Sequence, residues 1–279
     1  MIITYGFDIA ITVAQPTPLI ALLDIREERQ GDIRSEEPFT IAPEVPAHLY
    51  RDLFGNRCRR MVAPAGRFRM TRTGAIADSG LPDAIAPHAR QVPVGELPDD
   101  ALVYLLGSRY CETDELSAMA WRRFGGLASG WARVQAVVDF VHARLTFGYA
   151  FARATRTAAE AYAERKGVCR DFAHLTIALC RSLNIPARYV NGYLGDIGVP
   201  KDPAPMDFSA WCEVYLGGCW YAFDARHNTP RIGRIPIAYG RDAADVSLIH
   251  TFGPHVLTTF EVWTDEAKEQ NAGTERPAA

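Results

Sequence analysis

The chain has 279 residues, 48% hydrophobic and 23% charged, and its 30 basic and 33 acidic side chains leave a net charge of -3. This hydrophobic content excludes extended disorder, and the slight acidic balance excludes a chain built as a whole to coat nucleic acid. The length suits two domains with cores large enough to need no staple.

The longest uncharged stretch near the start, 9–23, contains Pro16 and Pro18 and follows no basic residue. It predicts neither a signal peptide nor a membrane span. Ile2 to Val13 is rich in β-branched and aromatic residues and reads as a strand, as does Leu19 to Ile25. Arg57 to Val62 and Arg67 to Arg72 flank Pro64-Ala65-Gly66, a hairpin signal. Arg51, Arg57, Arg59, Arg60, Arg67, Arg69 and Arg72 crowd this region against Asp52 alone. The expectation is a solvated basic face, with an anion or partner surface as the alternative.

Residues 81–112 are Pro-rich, and the domain boundary is placed there. Helical periodicity follows. Thr113 to Phe124 opens with a Thr cap and Asp114 and Glu115. Ser129 to Leu145 spaces Val134, Val137, Val138, Val141 and Leu145 along one face. Thr157 to Arg165 is a short third helix. Cys169 to Asn184 is apolar almost all round and reads as a central buried helix. The period then changes to two. Ala187 to Leu194 is a strand, Ser209 to Leu216 and Trp220 to Asp224 form a hairpin closed by Gly217-Gly218, and Val256 to Thr264 is a last strand. The polar tail from Glu266 to Ala279 is expected to be disordered.

The six cysteines, Cys58, Cys111, Cys169, Cys180, Cys212 and Cys219, contain no CxxC pair. Reduced thiols in the cytoplasm are expected, with no disulfide framework or zinc finger. Cys180 and Cys212 sit among apolar neighbours and read as packing. Cys169 differs. In Lys166-Gly167-Val168-Cys169-Arg170-Asp171-Phe172-Ala173-His174 a glycine loop delivers it to the first turn of the buried helix. The unpaired N–H groups and positive dipole end there favour a thiolate, the nucleophilic form. No metal-ligand spacing links Cys169 to His174 or His227, so no metal and no cofactor is expected.

Gly167-Val168-Cys169-Arg170-Asp171-Phe172-Ala173-His174-Leu175, Pro186-Ala187-Arg188-Tyr189-Val190-Asn191-Gly192-Tyr193, Ala210-Trp211-Cys212-Glu213-Val214-Tyr215 and Trp220-Tyr221-Ala222-Phe223-Asp224 succeed one another over about 60 residues. In order and spacing they resemble the bacterial cysteine-protease group of the transglutaminase-like superfamily. The β-rich beginning, with Val45-Pro46-Ala47, resembles the domain that accompanies that core. The resemblance implies an α+β fold: a papain-like core of helices on an antiparallel sheet over 86–265, preceded by a small antiparallel β-domain over 1–85. It also implies thiol acyl transfer or hydrolysis on a peptide or protein carboxamide by a Cys-His-Asp triad. Cys169 is the nucleophile, Asp224 the acid, and the His position falls on Ser209.

That serine is the departure. With Gly217-Gly218 as the turn, 211 faces 224, so 209 and Asp224 are diagonal neighbours on one sheet face. A histidine at 209 would span from Cys169 to Asp224; a serine is too short and does not shuttle protons near neutral pH. His227, three residues past Asp224, is a possible substitute base. His174, about 140° round the helix from Cys169, is expected to be structural. Tyr149 is a candidate oxyanion donor beside the Cys169 N–H. Two readings stand: an enzyme impaired at Ser209, or an inactive binding or scaffold protein. No membrane or nucleic-acid partner is expected.

Overall fold

A computed structural model describes residues 1–267. Seven strands open the chain: β1 (Ile2–Val13), β2 (Thr17–Ala21), β3 (Ile33–Glu36), β4 (Thr40–Ala42), β5 (His48–Arg51), β6 (Arg57–Ala63) and β7 (Gly66–Ala77). Helices follow: α1 (Asp99–Leu102), α2 (Thr113–Phe124) and α3 (Trp131–Arg144). The two-residue strand β8 (Thr146–Phe147), α4 (Ala158–Glu164) and the equally short β9 (Lys166–Gly167) lead into α5 (Cys169–Ser182). Six strands complete the described residues: β10 (Ala187–Tyr193), β11 (Ser209–Leu216), β12 (Cys219–Phe223), β13 (Ile235–Gly240), β14 (Ile249–Thr251) and β15 (Val256–Glu266).

Three larger sheets result. β12-β11-β10-β13 is antiparallel throughout. α5 packs on its β10 and β11 strands, and α2, α3 and α4 pack around α5. α5 is covered on all sides but is not apolar all round. Asp171, His174, Arg181 and Ser182 share one side of it and are buried, each hydrogen-bonded, to Arg156, the Ala243 N–H, the Ala187 carbonyl and the Ala178 carbonyl respectively. Gly217 and Gly218 take φ of 58° and 95°, which lets a two-residue turn pair Leu216 with Cys219.

The other two sheets form the β-rich beginning, and the far end of the chain completes both. β15 pairs along β1 in the sheet β15-β1-β7-β3, and β14 pairs with β2 in the sheet β14-β2-β6-β5. The sequence reading divides the chain once, whereas these pairings bring residues past 249 back to the beginning. The expectation for the tail falls, past residue 267, outside the described residues.

The basic cluster is not one solvated face. On β7 the inward side is Phe68, Met70, Arg72, Gly74 and Ile76. Arg72 therefore points inward and meets Asp24 at 2.8 Å and Glu36 at 3.2 Å. Arg59 grips the same Asp24 through two nitrogens, at 2.7 and 2.8 Å. Arg51, Arg60, Arg67 and Arg69 are exposed, and Arg69 is held by Asp8. A buried carboxylate far away in sequence decided the orientation of these arginines, and local charge counting does not register it.

Candidate active site

Cys169 begins α5, and two side chains and a glycine fix that beginning. Asp171 accepts the Val168 N–H at 2.8 Å, capping the helix from its own first turn. Arg156, itself buried, donates to the same Asp171 oxygen at 3.0 Å and to the Phe151 carbonyl at 2.7 Å. Gly167 must be a glycine, because a Cβ there would lie 2.6 Å from the Asp171 side chain. The β8–β9 bridge pairs Phe147 with Gly167, and the Gly148 N–H donates to the Gly167 carbonyl at 3.1 Å. The turn bearing Tyr149 is thereby brought beside Cys169.

The Cys169 thiol is half-buried and accepts the backbone N–H of Ala210, the second residue of β11. Burial pushes it up to about 11, against the downward pull of the Ala210 N–H and of Arg226. The helix start was expected to favour a thiolate; desolvation outweighs it. Ser209 opens β11 and is buried, with Gly192 opposite. Tyr149, Asp207, Ser209, Arg226 and His227 line one cleft of about 390 Å³. Tyr149 packs edge-on to Phe147 at 5.2 Å, and its hydroxyl meets Arg226, whose guanidinium lies 3.8 Å over the Phe147 ring.

Asp224 follows β12 directly and is buried. His227 Nδ1 lies 2.8 Å from Asp224 Oδ2, and Arg234 reaches the same oxygen at 3.2 Å. Burial alone would raise this carboxyl; His227 and Arg234 overcome it and hold it well below the usual carboxylate range. An ionised carboxylate only accepts, so Nδ1 of His227 carries the proton of that bond. The sequence reading offered His227, three residues past Asp224, as a substitute base. The structure brings it to Asp224, because the turn after β12 folds residue 227 back, with its N–H aimed at Asp224 Oδ1 at 3.4 Å.

His174 is fully buried between Tyr110 and Tyr189, with ring centroids 5.2 and 5.1 Å away. Its Nε2 accepts the Ala243 N–H at 3.1 Å, away from the cleft. Cys180 and Cys212 are core residues. The residues that the sequence reading did not single out are Arg156, Asp171, Asp207, Arg226 and Arg234. Of these only Asp171 left a signal, an acid two places after the cysteine in the first turn of a helix.

The family model of the transglutaminase-like superfamily matches residues 120–225. A crystal structure from Cytophaga hutchinsonii, described as that of a "putative cysteine protease", is 31% identical with a TM-score of 0.82, covering 95% of this chain and 90% of that one. An uncharacterized protein of Mycobacterium leprae is 38% identical over 89 residues, 29% of this chain and 30% of that relative's length. The structural match runs through both the β-rich beginning and the helix-and-sheet core, and with the family match across Cys169 and Asp224 it shows that this chain belongs to the transglutaminase-like superfamily.

Proposed function

We propose that this chain binds a peptide or protein carboxamide at Cys169 and turns it over slowly, because position 209 supplies a hydroxyl where proton transfer needs an imidazole. The observation that carries this reading is the place of Ser209. It directly precedes Ala210, whose N–H meets the Cys169 sulfur, and it lines the cleft.

In the reaction the Cys169 sulfur bonds to the carbonyl carbon and the C–N bond breaks. The amine leaves with the proton the thiol has given up. Water or a second amine then displaces the sulfur and releases the acyl group. The Cys169 N–H at the helix start and the Tyr149 hydroxyl are the donors at hand for the carbonyl oxygen as it becomes negative. Each turnover also needs a group that takes the thiol proton and returns it. A serine hydroxyl does not do so near neutral pH, and burial keeps the proton on sulfur up to about 11. A chain with no turnover at all, acting through binding alone, is the limit of the same reading.

A second reading has one observation in its favour. His227 is oriented by Asp224 at 2.8 Å and lines the same cleft, which is how a base in a triad is held. Turnover of blocked glutamine peptides and simple esters by the native chain and by Ser209→His, Cys169→Ala and His227→Ala separates the two. The proposal expects native turnover near background and a gain of roughly 10²–10⁴-fold in Ser209→His. Robust native turnover that His227→Ala abolishes supports the second reading, and robust turnover that survives His227→Ala overturns both.

A further inference from the structure

Most charges lining the cleft are neutralised within it. Arg231 meets Asp196 at 3.1 Å, Lys201 meets Asp265 at 2.5 Å, and Arg226 lies 3.8 Å from Asp202. One carboxylate is left over. Asp207 lines the cleft two residues before Ser209, and among the described residues no cation lies within ion-pair distance of it. It accepts the backbone N–H of Phe208, which fixes its direction but adds no counter-charge. It shares the cleft with Tyr149 and Ser209, and its charge acts on both the Cys169 thiol and the Tyr149 hydroxyl. Asp207 keeps an exposed flank, yet crowding of its carboxyl by the cleft walls pushes that carboxyl above its usual range, against the opposing pull of Arg226.

A carboxylate in the wall of a cleft with no cation in contact is an arrangement that a cationic ligand improves. We infer that the cleft selects a substrate with a positive charge beside its carboxamide, and that Asp207 is the residue that reads that charge. The inference rests on the acyl-transfer reading above and deepens it. A lysine or arginine flanking the reacting glutamine, or an amine acceptor in its ammonium form, meets Asp207. An acidic neighbour meets an unscreened like charge.

Binding tests this apart from catalysis. The Cys169→Ala protein, which cannot turn over, is titrated with fluorescent blocked peptides in which one glutamine is flanked by lysine, alanine or glutamate. Lysine-flanked peptide is expected to bind roughly three- to tenfold more tightly than alanine-flanked at low salt, with glutamate-flanked weakest and the spread narrowing as salt rises. Adding Asp207→Asn should collapse the spread, and Asp207→Lys should invert it. Equal binding of the three peptides, or a lysine preference that persists in Asp207→Asn, overturns the assignment and leaves the acyl-transfer reading standing. Absence of binding by any peptide overturns it too, while turnover by Ser209→His decides the acyl-transfer reading separately.

Discussion

At the scale of single residues, the cleft sets two groups in competition. A histidine placed at 209 needs Asp224 to fix its tautomer, but Asp224 Oδ2 already holds His227 and Arg234. The gain from Ser209→His is therefore expected to grow when His227→Ala frees that oxygen, and to vanish in Cys169→Ala. Steady-state rates on one glutamine peptide measure both; a double variant slower than Ser209→His alone shows instead that His227 assists. The thiol gives a second prediction. With the Cys169 proton held up to about 11, alkylation of the native protein should rise about tenfold per pH unit from 7 to 10. A plateau below pH 8, read by mass spectrometry on the Cys169 peptide, would reveal an imidazole already paired with the sulfur. Exposed Cys219 should label first, and buried Cys58, Cys111, Cys180 and Cys212 last. The places of Cys169 at a helix start, Ser209 at a strand start and Asp224 just past the next strand were legible, because period and turn chemistry mark those elements. Asp207, Arg226 and Arg234 were not, because what gives them meaning is a partner across a cleft, which no local spacing records.

At the scale of elements, the helix that carries the nucleophile hangs on one buried pair. Asp171 both caps α5 and neutralises Arg156, whose side chain is 3% exposed. Asp171→Ala removes the cap and one of the two carboxylates that Arg156 meets, the other being Glu164 at 3.2 Å, so a loss of roughly 1–3 kcal/mol is expected in denaturant unfolding. Asp171→Asn keeps an acceptor for the Val168 N–H and should lose clearly less. Equal losses would mean that the cap contributes nothing and that the charge pairing with Arg156 accounts for the whole effect. Element legibility followed burial pattern. Helices α2 to α5 and the β11–β12 hairpin were readable from period and turn chemistry. Strand β13 was not: all six of its residues are buried, so no alternation shows, and Pro236 interrupts the run. That proline is tolerated because β13 is the edge of its sheet. Strands β3, β4 and β5 have only three or four residues each, too few to show a period.

At the scale of the molecule, the first and last strands of the described residues pair, and the sequence hid this because strand propensity does not name a partner. β15 follows β1 over ten residue pairs, so the β-rich beginning and the α5 core depend on one another and should unfold together. Their joint stability has an acid limb with two sources. Burial raises Asp24 and Asp224, but their arginine and histidine partners overcome it and hold both below the usual range. Each contributes stability that is present above the unfolded carboxylate pKa near 4 and is lost as pH falls through the folded value. His174 acts earlier. Burial first, then the nearby positive charges of Arg170 and Arg181, keep it neutral well below 6.5. Below that pH the unfolded chain takes up a proton that the fold refuses, so stability should decline by up to about 1.4 kcal/mol per pH unit from this residue alone. Unfolding free energies measured in urea between pH 7 and 4.5 should therefore fall before the carboxylates titrate. His174→Phe should be less stable at pH 7, because the Ala243 N–H loses its acceptor, yet flatter across that window. A His174→Phe profile as steep as the native one would place the acid sensitivity elsewhere.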